Sequence, residues 1–116
     1  MSDYSKTSGK TTIDPEVILT IARLTSLGVD GVSRMASGPH TVDSLLRHKY
    51  SNGVKIEVEN NTVYIDLFLV MKREVNLLET SKSVQQKVSR AISEMVGMEI
   101  GNINIHIEDI DYRTAD

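Results

Sequence analysis

The chain is most clearly defined by what it lacks: its 116 residues include no cysteine, no tryptophan and one phenylalanine. The absence of cysteine excludes disulfides, thiolate metal sites and cysteine nucleophiles. Because aromatic residues make up 4% of the chain, a hydrophobic core must be built from valine, isoleucine, leucine and methionine. The longest uninterrupted apolar run, Leu67 to Met71, is far shorter than the roughly 20 residues of a membrane-spanning helix. Contact with a membrane is therefore predicted to be peripheral or to pass through a partner.

The length of the chain is that of one small domain. The net charge of −3 argues against a dedicated nucleic-acid binder, which usually carries a basic excess. Residues 1–12 are polar, lack the apolar centre of a secretory signal, and are predicted to be a disordered tail. Residues 13–112 are predicted to form a single domain, and residues 113–116 a C-terminal tail.

The first helix is predicted at about residues 14–27. Asp14 can cap its amino end, Pro15 suits the first helical position, and Gly28 suits its end. Its buried stripe is predicted to contain Val17, Ile18, Ile21, Ala22 and Leu24. A short strand is expected within residues 29–35, followed by a loop and a brief helical turn after Thr41.

Alternating apolar residues predict a hairpin over residues 53–71, with its turn at Asn60-Asn61. On the return strand the odd-numbered residues from Val63 to Met71 share the core face. The opposite face carries Tyr64, Asp66, Phe68 and Val70.

A second helix is predicted to begin with a capping box, Asn76 to Glu79, and to end at Gly97. Its buried stripe is predicted to contain Leu77, Leu78, Ser81, Val84, Val88, Ala91, Ile92, Met95 and Val96. In the last strand Ile103, Ile105 and Ile107 face the core. Ile110 is out of phase with them, so a bulge or fraying is expected near Asp109.

The order helix, short strand, strand, strand, helix, strand predicts an α+β fold. Two main helices are expected on one face of a small mixed sheet of three to four strands. The strands before and after the second helix imply a crossover connection, and the other sheet face stays more open.

The ionisable residues form no convincing catalytic or metal-binding pattern. The histidines, His40, His48 and His106, have no second ligand at a metal-site spacing, and His106 is expected on the open sheet face. Asp109 and Asp111 share a strand face with Glu108 between them. A solvated acidic edge is favoured over cation binding or acid–base chemistry, because no glycine-rich calcium loop accompanies these carboxylates.

Two features bear on nucleic-acid binding. Gly28-Val29-Asp30-Gly31 matches the G-x-x-G loop of KH domains, but its middle residues are apolar and acidic where phosphates favour a cation. A basic patch could form from Arg34, Arg47, His48, Lys49, Lys72 and Arg73. Dispersed solvated charges are favoured, because no aromatic residues accompany these cations for base stacking.

The apolar strip formed by Tyr64, Phe68 and Val70 is the predicted interaction surface. An apolar strip on an open sheet face suits a contact with a protein. The alternative is burial of this strip under the segment of residues 36–50, which is long enough to fold back. The sequence leaves both interpretations open.

The chain resembles the alkaline shock protein family, the envelope stress response proteins of Gram-positive and related bacteria. The resemblance lies in the order and spacing of several stretches across residues 12–112. These are residues 13–22 (Ile-Asp-Pro-Glu-Val-Ile through Ile-Ala), 29–32, 53–58, 63–67, 84–88, 95–97 and 103–107. One departure is visible, since many members carry Tyr-Gly where this chain has Arg73-Glu74.

This resemblance implies a cytoplasmic protein without enzymatic activity, and no cofactor, metal or small-molecule substrate. Some members assemble near the membrane through a separate anchored relative, and others are connected with lipid metabolism. The predicted function is therefore a stress-related scaffold or interaction module that self-associates or docks on a protein partner. A KH-like RNA-binding module and a regulator of a lipid-metabolism enzyme are the alternatives.

Overall fold

The computed structural model describes residues 8–37 and 48–113. The helices and strands follow one another as α1 (Pro15–Leu27), β1 (Val32–Met35), β2 (His48–Ser51), β3 (Val54–Glu59), β4 (Thr62–Lys72), α2 (Leu77–Val96) and β5 (Glu99–Asp111). The predicted helical turn after Thr41 lies outside the described residues.

Strand β4 is the centre of a mixed sheet. Along one side it pairs with β5 in parallel, and along the other it pairs with β3 and then β1, both antiparallel. Strand β2 extends the sheet beyond β3. Both helices pack on one face, where they share a core cluster with the sheet. The predicted α+β class is confirmed, but the sheet has five strands because β2 forms a hairpin with β3.

Both helices begin and end as their capping residues predict. The Glu16 amide donates to Asp14 Oδ1 at 2.9 Å, and the Glu79 amide donates to Asn76 Oδ1 at 2.9 Å. Gly97 ends α2 in the left-handed conformation, with a φ of 77°. These local signals were sufficient because caps depend on neighbouring residues rather than on packing.

The predicted buried stripe of α1 was partly wrong. Ile18 and Ala22 are buried, together with Leu19, which had not been predicted. Val17 and Leu24 are instead exposed, at 45% and 56%. They lie seven residues apart on the side of the helix opposite its sheet contact. Because α1 has apolar residues on both sides, the sequence pattern does not indicate which side is buried.

In α2 the central part of the predicted stripe is correct. Val84, Val88 and Ile92 are fully buried. The predicted core residues Leu77, Leu78 and Met95 are exposed, at 39%, 66% and 70%. They occupy the first and last turns of the helix, beyond the part that is buried against the sheet.

Two register shifts interrupt the pairing of β5 with β4. One falls between Ile107 and Asp109 and leaves Glu108 as the extra residue, one position from the predicted bulge. It returns Ile110 to the helix side, where this side chain packs against the core. The other shift does the same for Ile100.

Gly53 lies where β3 and β1 meet along the same side of β4. The Phe68 amide donates to the Gly53 carbonyl at 2.8 Å, and the Ala36 amide donates to the Phe68 carbonyl at 2.7 Å. Asn52 and Gly53 have φ values of 49° and 80°, which is the pattern of a two-residue hairpin turn. This Asn-Gly pair is a strong hairpin signal that the sequence interpretation missed.

Candidate functional site

The predicted interaction strip is only partly accessible. Phe68 and Val70 are buried, at 6% and 3% exposure, whereas Tyr64 is 36% exposed. The Tyr64 ring lies against Gly101 of β5, where an added Cβ would collide with it. Most of the segment that was considered as a cover for this strip lies outside the described residues. The accessible part of the strip is therefore Tyr64, at the boundary with β5.

A small polar network surrounds Phe68 on the same sheet face. Asp66 Oδ1 lies 2.9 Å from His106 Nε2 and accepts from Asn104 Nδ2 at 3.2 Å. The His106 ring stacks on Phe68 with centroids 4.6 Å apart. His106 thus lies on the open face, as predicted. Within residues 8–37 and 48–113 no hydroxyl group hydrogen-bonds the His106 ring.

Asp111 departs from the predicted solvated acidic edge, in which Glu108 and Asp109 are indeed exposed. Its carboxylate is 12% exposed and accepts from Ser33 Oγ at 2.6 Å and from Arg113 Nη2 at 2.8 Å. Arg34 Nη1 lies 3.3 Å away. The hydrogen bonds from Arg113, and then from Ser33, hold the Asp111 pKa well below its usual range. This side chain ties the end of β5 to β1, across the end of β4.

The other acidic and basic candidates do not converge on a site. Across the described ranges no three potential ligands are placed to hold a metal ion. Lys72 and Arg73 are exposed, and Arg34 is committed to Asp111. Arg47 and His40 lie outside the described residues.

The G-x-x-G segment is a turn packed against α2 rather than an open loop. Gly28 ends α1 and Val29 is 4% exposed. A Cβ on Gly31 would lie 3.0 Å from the Thr80 side chain. The segment therefore offers little room to clamp a nucleotide backbone.

The outer edge of β5 is the most distinctive surface of the described structure. The Phe68 N–H and C=O point toward β3 and β1. Because these groups alternate along a strand, those of Leu67 and Leu69 point toward β5. In the parallel register, the backbone N–H and C=O groups of Asn104 and His106 then point back toward β4. The backbone groups of Ile103, Ile105 and Ile107 consequently point outward, away from the sheet.

Only one of these outward groups has a partner in the described parts of the chain. Gln85 Nε2 on α2 donates to the Ile103 carbonyl at 2.9 Å, which confirms the outward direction. The backbone groups of Ile105 and Ile107 on this side make no hydrogen bond to any described residue. The edge therefore exposes a row of free donors and acceptors.

A shallow groove runs between α2 and this edge. One part of about 310 Å³ and another of about 420 Å³ follow each other along it. Its walls are Gln85, Gln86, Ser89 and Ser93 from α2, with residues 97–101 and Ile103 from the strand side. Glu99 is the single charged residue among them.

None of the helices in the described ranges combines the length and apolar character needed to cross a membrane. The described residues form a small α+β fold, in which Asp66, His106 and Asp111 make hydrogen bonds between strands of the sheet. The chain belongs to the alkaline shock protein family, described as having a cell envelope-related function, whose family model matches residues 3–112. This match confirms the resemblance that the sequence suggested.

Similar proteins cover nearly the whole chain. YqhY of Bacillus subtilis (strain 168) is 32% identical over 108 residues, which are 91% of this chain and 80% of YqhY. YloU of the same strain is 24% identical over 106 residues, covering 88% of each chain. Spy1614 of Streptococcus pyogenes serotype M6 is 28% identical over 102 residues, covering 84% of each.

Among solved structures, a MamM CTD variant in its zinc form is similar with a TM-score of 0.47 and 14% identity. The match covers 84% of this chain and 88% of that chain. A manganese form gives a TM-score of 0.45, with 86% and 100% covered. Because these TM-scores and the sequence identity are low, the similarity shows nothing about the ligands or function of this protein.

The turn at Arg73-Glu74, where the resemblance led us to expect Tyr-Gly, has an unusual backbone conformation. Glu74 has a φ of 63°, in the left-handed region that glycine adopts without strain. Arg73 and Glu74 are both exposed in the turn between β4 and α2. This turn therefore places a charged side chain at a position whose φ glycine would adopt without strain.

Proposed function

We propose that this protein is a non-enzymatic component of the envelope stress response. It acts in the cytoplasm as a scaffold or interaction module, by self-association or by docking on a protein partner. Family membership supports the link to the envelope. The observation that carries the proposal is the outer edge of β5, with the outward backbone groups of Ile105 and Ile107 unpaired in the described structure.

Between its two register shifts, this edge lacks the charged residues and prolines that often prevent strand pairing. Natural edge strands are commonly protected by lysine, proline, inward-pointing charge, β-bulges or short length. Strand β5 has 13 residues, and from Ile100 to Ile107 it contains no proline and no Asp, Glu, Lys or Arg. An edge of this kind favours β-augmentation, in which another strand supplies the missing hydrogen bonds.

The accessible part of the predicted strip extends the same surface. Tyr64 lies against Gly101 of β5, so a partner strand at the edge would come close to its ring. Phe68 and Val70 support this surface from within, because both are buried. Membrane proximity is proposed to be indirect, through an anchored partner. No cofactor and no small-molecule substrate enter this proposal.

Light scattering of the purified full chain across protein concentration tests the proposal. The expected result is a mass that rises above 12.9 kDa with concentration, or a defined protein partner captured from the native cells. A strict monomer that recovers no partner would contradict it. A salt-dependent shift on titration with RNA would instead favour the KH-like alternative.

A further inference from the structure

We infer that the occupant of the β5 edge is a second copy of this chain, paired antiparallel about a two-fold axis at His106. The inference rests on the proposed function and specifies its partner and its contact. It would join the two five-stranded sheets into one continuous sheet.

The free backbone groups determine this register. With the axis at His106, Ile105 of one copy lies opposite Ile107 of the other. Both residues direct their backbone groups outward, so they form the hydrogen-bonded pairs of an antiparallel ladder. The Ile103 carbonyl, already held by Gln85 at 2.9 Å, is not needed for these pairs. The register therefore uses the two residues that lack partners and leaves the existing contact in place.

Charge along the strand favours the same register. Glu108 faces Asn104 of the second copy, and the two Glu108 side chains are separated by four strand positions, roughly 14 Å. That distance exceeds the Debye length of about 10 Å at 0.1 M salt. An axis two residues later would bring Glu108 against itself, which like-charge pairing disfavours. At the axis, Asp66 holds each copy's own His106 ring.

The helix side of the seam is compatible with a second copy. A two-fold axis perpendicular to the sheet keeps both helical layers on one side, so the α2 helices face each other. The groove wall beside the edge carries the uncharged Gln85, Gln86 and Ser89, and the exposed Lys82 lies one turn before them on the same side of α2. Leu78 lies seven residues before Gln85, on the same side of the helix, and is 66% exposed. Ile107, at 37% exposure, is the apolar side chain of the edge that this contact would cover.

A single introduced thiol tests the axis, because the natural chain contains no cysteine. His106→Cys places one thiol on each side of the two-fold axis. The backbone N–H and C=O groups of residue 106 point toward β4. The two copies of residue 106 therefore form a non-hydrogen-bonded pair, with Cα atoms about 4.5 Å apart. This distance lies within the range of disulfides, about 4.4–6.8 Å. Mild oxidation is expected to convert most of the protein to a covalent dimer.

The matched control is Leu24→Cys, on the exposed side of α1. Helix α1 packs over β1, β2 and β3 rather than over β5. This variant is expected to yield at least fivefold less covalent dimer under the same oxidation.

A second variant tests the seam without covalent chemistry. Ile107→Lys places an ammonium group at the paired edge and is expected to weaken self-association at least tenfold by light scattering. Leu24→Lys, the same class of change on α1, is expected to leave the association unchanged. Circular dichroism verifies that both variants fold. If Ile107→Lys does not fold, the cross-linking of His106→Cys decides whether the inference holds.

The outcomes separate this inference from the proposed function. If the natural chain associates but His106→Cys cross-links no better than Leu24→Cys, the seam lies elsewhere and the inference is overturned. Loss of association in Leu24→Lys alone would place the contact on α1 and overturn it too. A captured partner of different sequence on the edge would also overturn it. In each of these cases the proposed function stands.

Discussion

Replacing Gly53 with alanine is expected to destabilise the protein by roughly 3 kcal/mol or more. A φ of 80° costs an alanine about 1–2 kcal/mol. Its Cβ would also lie 2.5 Å from the Ala36 carbonyl oxygen and 3.0 Å from the Phe68 carbonyl oxygen. Both are backbone atoms of the strands that meet there, so relief requires a movement of the sheet. Chemical denaturation of Gly53→Ala and the natural chain measures the difference.

Gly97→Ala is the matched control for this experiment. Gly97 has a similar φ of 77°, but an added Cβ would meet no atom within 4 Å. Its expected cost is about 1 kcal/mol, from backbone strain alone. Equal losses in the two variants would show that the junction of β1 and β3 on β4 is not as tight as described.

The second large effect is expected from Leu67→Ala. Leu67 is fully buried at the centre of β4, on the face that both helices cover. Deleting its side chain removes buried apolar surface and leaves a cavity, which costs about 2–5 kcal/mol. A thermal or denaturant unfolding curve of this variant provides the measurement.

Leu24→Ala is the comparison, because the sequence predicted Leu24 to be buried and the structure exposes 56% of it. Its expected loss is below about 1 kcal/mol. A loss as large as that of Leu67→Ala would mean that Leu24 is covered in the native protein, and would assign an interface to α1.

Short-range signals account for much of the fold that the sequence could predict. Asp14, Asn76 and Gly97 act on backbone groups within a few residues, so their capping roles could be predicted from the local sequence. The phase of Ile110 against Ile107 also indicated a bulge, because side chains alternate strictly along a strand.

The errors arose where tertiary packing decides between equivalent residues. Helix α1 is apolar on two sides, and the sheet selects the side with Ile18 and Ala22 over the side with Val17 and Leu24. Nothing local distinguishes these sides. By contrast, the β2–β3 hairpin was indicated by Asn52-Gly53, and was missed because the residues before this turn do not alternate between apolar and polar.

The candidate site was less predictable than the fold. The direction of a backbone group along β5 depends on its partner strand and register, which the sequence of β5 does not contain. The contact of Asp111 with Ser33 joins residues 78 positions apart, so their proximity became visible only in three dimensions. The alternation of residues along β4 predicted that Tyr64, Phe68 and Val70 share one sheet face. It did not predict that Phe68 and Val70 are buried.

Amide hydrogen exchange at Ile105 and Ile107 tests the central claim most directly. Their outward N–H groups have no acceptor within the described chain, whereas those of Asn104 and His106 point toward β4 and act as internal references. We predict rapid exchange at Ile105 and Ile107 in dilute protein, and at least tenfold slower exchange once light scattering shows association. Continued rapid exchange at both residues in the associated protein would contradict the claim that this edge is where the molecule meets its partner.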